Sequence, residues 1–255
     1  MTPIELFVLI CIFAIVRGVL SLRPVPLGPP AEQEADGGPQ KLASPSMDLI
    51  IREYLDAFIV AGLVALFLIT FVVRTFYIPS GSMEPTLQIH DVLLVNEFEY
   101  RFHAPSLDDI VVFHPPIPTT NDFIKRLIGE PGDMFRIHDG VVYRNGIAQA
   151  EPFIAEKPSY ELVVKDYGIY VDGQPLDPAM SNVPPRALWQ APDRIPNGFY
   201  FMMGDNRNNS EDSHIWGFAQ TRGTFAAGPE KGHRASFTGH AFVLFWPLNR
   251  MRILR

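Results

Sequence analysis

An apolar run near the N-terminus is the longest hydrophobic feature of the chain. Ala57 to Val73 carries no charged residue, and Arg74 closes the run. As a helix, this run is about 26 Å long at about 1.5 Å per residue, and a few further apolar residues bring it close to the thickness of a bilayer. We therefore predict a transmembrane helix over residues 57–76.

A second, weaker apolar run opens the chain. Glu5 and Arg17 interrupt it, so its uncharged part has the length of a signal-peptide core. No small-x-small cleavage site follows it, and we predict a first transmembrane helix over residues 1–22. Residues 23–56 are Pro-, Gly- and Ala-rich over most of their length, which predicts a linker with a helical lead-in at its end.

Basic residues set the expected orientation. The segment before the first run has no Lys or Arg, whereas the linker carries Arg23, Lys41 and Arg52. The positive-inside rule places the linker in the cytoplasm and the C-terminal part outside. A single N-in helix over residues 57–76 gives the same location for the C-terminal part, so the prediction does not depend on the first run.

Beyond Ile78 the apolar residues come in short runs separated by Pro, Gly, Asn or Asp, without a long helical period. The runs are Val92–Val95, Ile110–Phe113, Phe123–Ile128, Val141–Tyr143, Phe199–Met203 and Ala241–Phe245. Asn145-Gly146, directly after one of them, is typical of a type I′ hairpin turn. The pattern predicts a mainly β domain over residues 77–255, built from two antiparallel sheets.

Composition excludes several classes of protein. Hydrophobic residues make up 47% of the chain, and the net charge of −7 argues against a nucleic-acid-binding surface. Cys11 is the one cysteine, so an intrachain disulfide is impossible. The seven histidines are scattered without a metal-binding spacing, so we expect no metal and no other cofactor.

The segment Ile78-Pro-Ser-Gly-Ser-Met-Glu-Pro-Thr-Leu87 is the strongest chemical signal. It places two hydroxyls and a flexible glycine just after the second apolar run. A serine needs a base to become a nucleophile, and no Ser-His-Asp order or G-x-S-x-G elbow surrounds Ser82. Lys125 is the best candidate base, because strand alternation places it on one face with Phe123 and Leu127, where desolvation lowers the pKa of an amine.

These segments resemble type I signal peptidases, membrane-bound Ser-Lys proteases. The resemblance covers roughly residues 50–255 and rests on four blocks in order. The blocks are IPSGSMEPTL, DVLLV from Asp91, the run from Asp109 through FIKR to GEPGD ending at Asp133, and GDNRNNSEDS from Gly204 to Ser213. It implies an antiparallel β-sheet catalytic domain of signal-peptidase type, with an insertion subdomain at about residues 147–196.

The resemblance also implies roles for individual residues. Ser82 would be the nucleophile and Lys125 the general base. The hydroxyl of Ser80 and the backbone N–H of Ser82 would stabilise the oxyanion, and Ser210 would orient the lysine. Three further positions would hold the site together, and seven would line the substrate pocket. The structural positions are Asp205, Asp212 and Arg126, and the pocket positions are Phe76, Ile78, Pro79, Met83, Leu87, Leu93 and Ile124.

The function implied is removal of signal peptides from exported preproteins after small residues, at the outer (periplasmic) face of a bacterial cytoplasmic membrane. Expected partners are preprotein signal peptides and the lipid bilayer, with the secretion translocon as an open possibility, and no nucleic acid. Two alternatives stay open. One is a Ser-Lys peptidase dedicated to a single substrate, of pilus, conjugation or organellar type. The other is a catalytically silent, membrane-tethered β-domain, which the presence of both Ser82 and Lys125 disfavours.

One position departs from the family pattern. Where the family usually has an arginine two residues after the second aspartate of the last block, this chain has His214. A histidine has an unperturbed pKa near 6.5 and does not carry a permanent charge. We therefore predict that Arg126 is the main basic partner of Asp212 in this chain.

Overall fold

The computed structural model describes residues 3–21, 47–71 and 73–254. These fall into two compact units, one helical and one β-rich, that divide between residues 72 and 73. The helical unit contains α1, Pro3–Ser21, and α2, Met47–Phe71. Most of the predicted linker, residues 23–46, lies outside the described residues, as does residue 22.

The two helices of the first unit pack against each other in opposite directions. Phe13 meets Phe58 with ring centroids 5.9 Å apart, and Arg17 Nε binds Asp56 Oδ1 at 2.8 Å. Further along, Ile10 packs against Gly62, where an added Cβ would come within 2.8 Å of the isoleucine side chain. The glycine therefore allows a close approach of the helices.

The predicted C-terminal bound of the second apolar helix, residue 76, was wrong. The helix begins at Met47 and includes the expected helical lead-in, and no Gly or Pro interrupts the chain between Met47 and Ala61. It ends at Phe71, and Val73–Tyr77 forms the strand β1. β-branched and aromatic residues dominate this strand, and they favour the pleated conformation when a partner strand is available.

The predictions of transmembrane helices over residues 1–22 and 57–76 are not confirmed. Among the helices of residues 3–21 and 47–71, none combines the length and the apolar character needed to cross a membrane.

The β-rich unit contains two antiparallel sheets, which confirms the predicted fold class. Among its described residues, one sheet has eight strands in the order β1-β2-β13-β3-β4-β11-β12, with β14 paired to β13. These strands are β1, β2 (Val92–Asn96), β3 (Ile110–Phe113), β4 (Phe123–Gly129), β11 (Phe199–Met203), β12 (Ala219–Gln220), β13 (Phe237–Trp246) and β14 (Arg252–Ile253). Two one-turn helices, α3 (Glu99–Phe102) and α4 (Ser213–Trp216), connect elements of this sheet.

The second sheet, in the described residues, has six strands in the order β10-β9-β8-β5-β6-β7. They are β5 (Phe135–His138), β6 (Val141–Arg144), β7 (Ile147–Ala148), β8 (Leu162–Lys165), β9 (Gly168–Val171) and β10 (Gln174–Pro175). Asn145 and Gly146 both have positive φ between β6 and β7, at 51° and 82°, as the I′ turn requires. This sheet joins residues of the expected insertion, about 147–196, to residues before it, since Ile137 of β5 pairs with Leu162 of β8.

Aromatic packing joins the two sheets. The Phe135 ring from the second sheet stacks on Phe201 of β11 at 4.4 Å, and Phe218 meets Phe201 edge-on at 6.2 Å. Gly129 at the end of β4 permits this contact, since a Cβ there would lie 2.9 Å from Cβ of Phe201. The two sheets therefore share one core, and the end of β4 and the whole of β11 are fixed by it.

Candidate active site

The Ser82 segment is a tight turn that follows β1. The N–H of Ile78 donates to Asp91 O at 2.9 Å, and the N–H of His90 donates to Ile78 O at 2.9 Å. These two hydrogen bonds join the start of the segment to the residues directly before β2. Ile78 and Met83 are buried in the core on either side of the turn. The two buried anchors leave Ser80 and Ser82 at the surface of the sheet.

Lys125 reaches the turn from β4. The residue pairs with Val111 of β3 inside the large sheet, and its side chain is nearly fully buried. Its Nζ lies 2.9 Å from Ser82 Oγ and 5.2 Å from the centroid of the Phe123 ring. The predicted face shared by Phe123 and Lys125 is therefore present, and the amine is within hydrogen-bond reach of the hydroxyl.

The surroundings of Lys125 favour its neutral form. Burial lowers the pKa of the ammonium from 10.5 to about 8, because the protein removes water that would solvate the charge. The carboxylates of Asp212, Glu211 and Asp205 oppose this effect, since a nearby negative charge stabilises the ammonium. The balance leaves an amine that takes up a proton far less readily than an exposed lysine.

Ser80 lies beside the nucleophile candidate rather than in the core. Its hydroxyl oxygen is 3.5 Å from Ser82 Oγ, and the side chain is exposed to the cleft. A donor at this position faces the same space as the Ser82 hydroxyl. The geometry is compatible with the oxyanion role that the family resemblance implies.

The segment after β11, residues 204–212, closes on the Ser82 turn, and we call it the 204–212 loop. The N–H of Asn206 donates to Ser82 O at 3.1 Å, and Nδ2 of Asn206 donates to Gly81 O at 3.0 Å. A Cβ at Gly204 would collide with Ser82 O and Ser210 Oγ, so only a glycine fits between the two segments. Asn206 lies within one of the four family blocks, but the sequence does not indicate its role, because its partners are backbone groups distant in sequence.

Ser210 is buried next to Gly204. Among the groups that the structure describes, its Oγ has no hydrogen-bond partner. The contact with Lys125 that was expected from the resemblance is therefore not made as a direct hydrogen bond here. The hydroxyl is close to the Ser82 backbone and has donor and acceptor capacity to spare.

Arg126 and Asp205 form a two-pronged ion pair at the end of β4. Nε and Nη2 of Arg126 lie 2.9 Å and 2.7 Å from the two carboxylate oxygens of Asp205, and both side chains are fully buried. Nη1 of Arg126 also donates to Asp108 O at 2.7 Å. Met203 of β11 pairs with Arg126, so the aspartate two residues further on falls within reach.

The prediction that Arg126 is the main basic partner of Asp212 was wrong. Asp212 is the N-cap of α4, and this position directs its carboxylate to nearby groups. It accepts from the N–H of Gly204 at 2.9 Å and of His214 at 3.2 Å, and Nδ1 of His214 lies 2.7 Å from Oδ1. His214, the departure from the family pattern, therefore serves as a partner of Asp212.

A cleft of about 780 Å³ opens over the Ser82–Lys125 pair. Of the predicted pocket residues, Phe76, Ile78, Pro79, Met83 and Ile124 line it. Leu87 and Leu93 do not line it, because both are fully buried in the core. Leu93 lies on the interior face of β2, and Leu87 lies in the turn that follows Met83. The sequence analysis assigned no pocket role to several polar lining residues. Asn209 and Glu211 lie within the block from Gly204 to Ser213, and the others lie directly before β4: Thr120, Asn121 and Asp122.

One exposed cluster in the second sheet offers metal-ligating atoms. Those of His138, Asp139 and Glu161 all lie within 4.8 Å of one another. The hydrogen bond that His138 Nδ1 donates to Glu161, together with the charge of Asp139, raises the pKa of His138. A histidine drawn towards its charged form is a poor metal ligand, and the cluster shares no residue with the cleft.

Comparisons with known proteins agree on one family. The family profile described as "Signal peptidase, peptidase S26" matches residues 51–227. The chain is 37% identical over 213 residues to a probable signal peptidase I-1 of Synechocystis sp., covering 81% of this chain and 88% of that protein. It is 33% identical to a signal peptidase I of Leptolyngbya laminosa, covering 89% of this chain and 92% of the relative.

A chloroplast relative extends the comparison. Thylakoidal processing peptidase 1 of Arabidopsis thaliana is 35% identical over 150 residues. That match covers 55% of this chain and 36% of the plant protein.

The pKa of Lys125 predicts how hydrolysis depends on pH. If the neutral amine is the active form, kcat/KM rises about tenfold per pH unit below a pKa of about 8 and levels off above it. Glu211→Gln removes a charge that raises this pKa, so the rise of kcat/KM on the acid side of the pH profile, its acid limb, moves to lower pH. Glu161→Gln, in the second sheet, is the matched control and leaves the limb in place. A limb that stays fixed in Glu211→Gln would contradict the assignment.

The Arg126–Asp205 pair predicts a large loss of stability on truncation. Asp205→Asn keeps the size of the side chain but leaves a buried guanidinium without its counter-charge, which costs about 3–5 kcal/mol. Denaturant unfolding measures this cost, and Asp193→Asn, at an exposed site, is the control. Unfolding of Asp205→Asn at the wild-type midpoint would show that the pair is not needed.

Proposed function

The chain belongs to the signal peptidase family, peptidase S26, whose members are serine endopeptidases, and we propose that it removes signal peptides from exported preproteins with Ser82 as nucleophile and neutral Lys125 as general base. The observation that carries the proposal is the 2.9 Å approach of Lys125 Nζ to Ser82 Oγ. A buried amine with a lowered pKa at that distance is suited to accept the hydroxyl proton.

The proposed reaction proceeds in two steps. The Ser82 hydroxyl transfers its proton to Lys125 Nζ as Oγ attacks the scissile carbonyl. The protonated lysine then gives this proton to the leaving amine, and an acyl-enzyme on Ser82 remains. In the second step Lys125 takes a proton from water as the water oxygen attacks the ester, and it then gives this proton to Ser82 Oγ as the ester bond breaks and the signal peptide is released.

Developing negative charge needs donors that are in place beforehand. We assign the backbone N–H of Ser82 and the hydroxyl of Ser80 to this role. Two observations support the assignment. The Ser80 hydroxyl is 3.5 Å from Ser82 Oγ, and the Gly81 carbonyl accepts from Nδ2 of Asn206 at 3.0 Å. The Gly81 carbonyl shares a peptide plane with the Ser82 N–H, so this hydrogen bond also fixes the direction of the N–H.

The walls of the cleft support a preference for small side chains before the cut. Ile78 and Met83 line the cleft, yet each is at most 3% exposed, so their side chains belong to the packed core. A pocket floor made of core residues cannot yield to a large side chain without disturbing the sheet. Small residues at the cleavage site fit such a floor.

We further propose that the helical unit attaches the protein to a lipid bilayer. The described part of the unit exposes large apolar side chains to its surroundings, which is costly in water. They are Val8, Ile12, Ile15, Val19, Phe58, Val60, Leu63 and Val64. With the linker in the cytoplasm, the β-rich unit works at the outer face of a bacterial cytoplasmic membrane.

The proposed dyad predicts complete loss of cleavage on truncation of either residue. Ser82→Ala and Lys125→Ala should each abolish hydrolysis of a preprotein while the protein remains folded, because neither side chain belongs to the hydrophobic clusters of the core. Cleavage of a preprotein panel, followed by gel electrophoresis, measures the effect, with Lys165→Ala as an exposed control. Wild-type activity in Lys125→Ala would exclude the Ser-Lys mechanism, and a wild-type protein that cleaves nothing would favour the silent β-domain.

The closed floor of the cleft predicts a strong size limit. Replacing alanine by phenylalanine just before the cut should lower kcat/KM by about tenfold to a hundredfold, since overpacking a rigid site costs about 1–3 kcal/mol. Matched preprotein variants that differ at this one residue provide the measurement. Equal rates for alanine and phenylalanine would rule out a small-residue pocket.

A further inference from the structure

A segment of the second sheet lies against the outer side of the 204–212 loop. It consists of residues 151–160, between β7 and β8, and we call it the strap. Its contacts begin with a buried ion pair in which Nη1 and Nη2 of Arg207 lie 2.9 Å and 2.6 Å from the carboxylate of Glu151. The Arg207 side chain is fully buried and that of Glu151 is 7% exposed.

Further contacts run along the whole strap. The Phe153 ring lies under the guanidinium of Arg126 at 4.0 Å and near that of Arg207 at 5.9 Å. Asn208 accepts from the N–H of Ser159 at 2.8 Å and donates to Lys157 O at 3.0 Å. At the far end, the Tyr160 ring stacks on His214 at 4.5 Å.

Successive residues of the 204–212 loop face different partners. Asn206 holds the backbone of Gly81 and Ser82, Arg207 and Asn208 hold the strap, and Asn209 lines the cleft. Arg207 Nε also donates to Gly204 O at 3.1 Å, which braces the loop internally. Contacts that fix Arg207 therefore also restrain its neighbour Asn206, whose N–H binds the Ser82 carbonyl.

We propose that Glu151 and Arg207 are positioning residues: through their buried ion pair, the strap holds the 204–212 loop where Asn206 fixes the Ser82 turn against Lys125. The inference rests on the proposed function of Ser82 and Lys125. It assigns to the second sheet a part in catalysis, because β7 and β8 hold the two ends of the strap. Neither residue touches substrate, so the effect is on the geometry of the turn.

Glu151→Gln in the full-length protein tests the proposal. It leaves the Arg207 charge buried and unpaired, so the loop shifts or loosens. A misplacement of about 1 Å can lower a rate about a hundredfold. We expect kcat to fall about tenfold to a hundredfold with KM changed less than about threefold, and the Asn206 amide to exchange with deuterium about tenfold faster. Glu161→Gln, an exposed carboxylate two residues beyond Pro158-Ser159, is the matched control and retains wild-type values.

The ion pair also predicts a non-additive result. Once Glu151 is neutralised, replacing Arg207 by Gln removes the unpaired charge, so the double variant should be no slower than Glu151→Gln alone. Effects that simply multiply would mean that the two residues act independently. A folded Glu151→Gln protein with wild-type kcat and wild-type exchange at Asn206 would overturn the proposal.

A milder variant covers the case in which Glu151→Gln does not fold. Asn208 is exposed, so Asn208→Ala removes its three hydrogen bonds to the strap, with Glu156, Lys157 and Ser159, without opening the core. It should also lower kcat and speed exchange at Asn206, and unchanged values would overturn the proposal. If the wild-type protein cleaves no preprotein, the cleavage measurement contradicts the proposed function. The deuterium exchange of the Asn206 amide in the variants still decides whether the strap positions the loop.

Discussion

The burial of the Lys125 amine beside the Ser82 hydroxyl is the constraint on which the rest of the site depends. A lysine side chain loses its proton near neutral pH only if water is kept from it, so the residue must lie in a packed sheet. β4 provides this place, since its flanking strands β3 and β11 and the core beneath them bury nearly the whole side chain. The same burial makes the exact position of Ser82 critical, because the amine has few other polar groups to meet.

Two segments distant in sequence hold Ser82 in that position. The turn is anchored in the core by Ile78 and Met83, and its carbonyl groups are held by Asn206. Gly204 lets the 204–212 loop come close enough to do so. Arg126 and Asp205 connect this loop to the strand that carries Lys125, so the base and the support of the nucleophile share one buried ion pair.

Strands and the candidate dyad were accessible from sequence, whereas partners across the fold were not. The short apolar runs between turn residues predicted β2, β3, β4, β6, β11 and β13, because burial in a sheet leaves a local pattern. The helical lead-in before residue 57 was expected, whereas the end of α2 at Phe71 was not, since the apolar residues 73–77 fit a helix and a strand equally well in the local sequence. Arg126 binds Asp205 rather than the predicted Asp212, because Met203 pairs with Arg126 across the sheet and brings Asp205 within reach. The sequence places both aspartates in one loop and does not show which of them faces Arg126.

The strap shows a second limit of sequence reasoning. Glu151 and Phe153 lie in a segment without a recognisable motif, and their importance comes only from the partners Arg207 and Arg126. A long loop between strands of the second sheet therefore carries contacts that bear on the 204–212 loop.

Titration of the Lys125 amine by nitrogen-15 NMR tests the central claim most directly. The measurement uses Ser82→Ala, in which the lysine stays in its buried strand position and no hydrolysis interferes. The account predicts a pKa of about 8, set by burial. A Lys125 that titrates near 10.5, the value of an ordinary lysine, would contradict it.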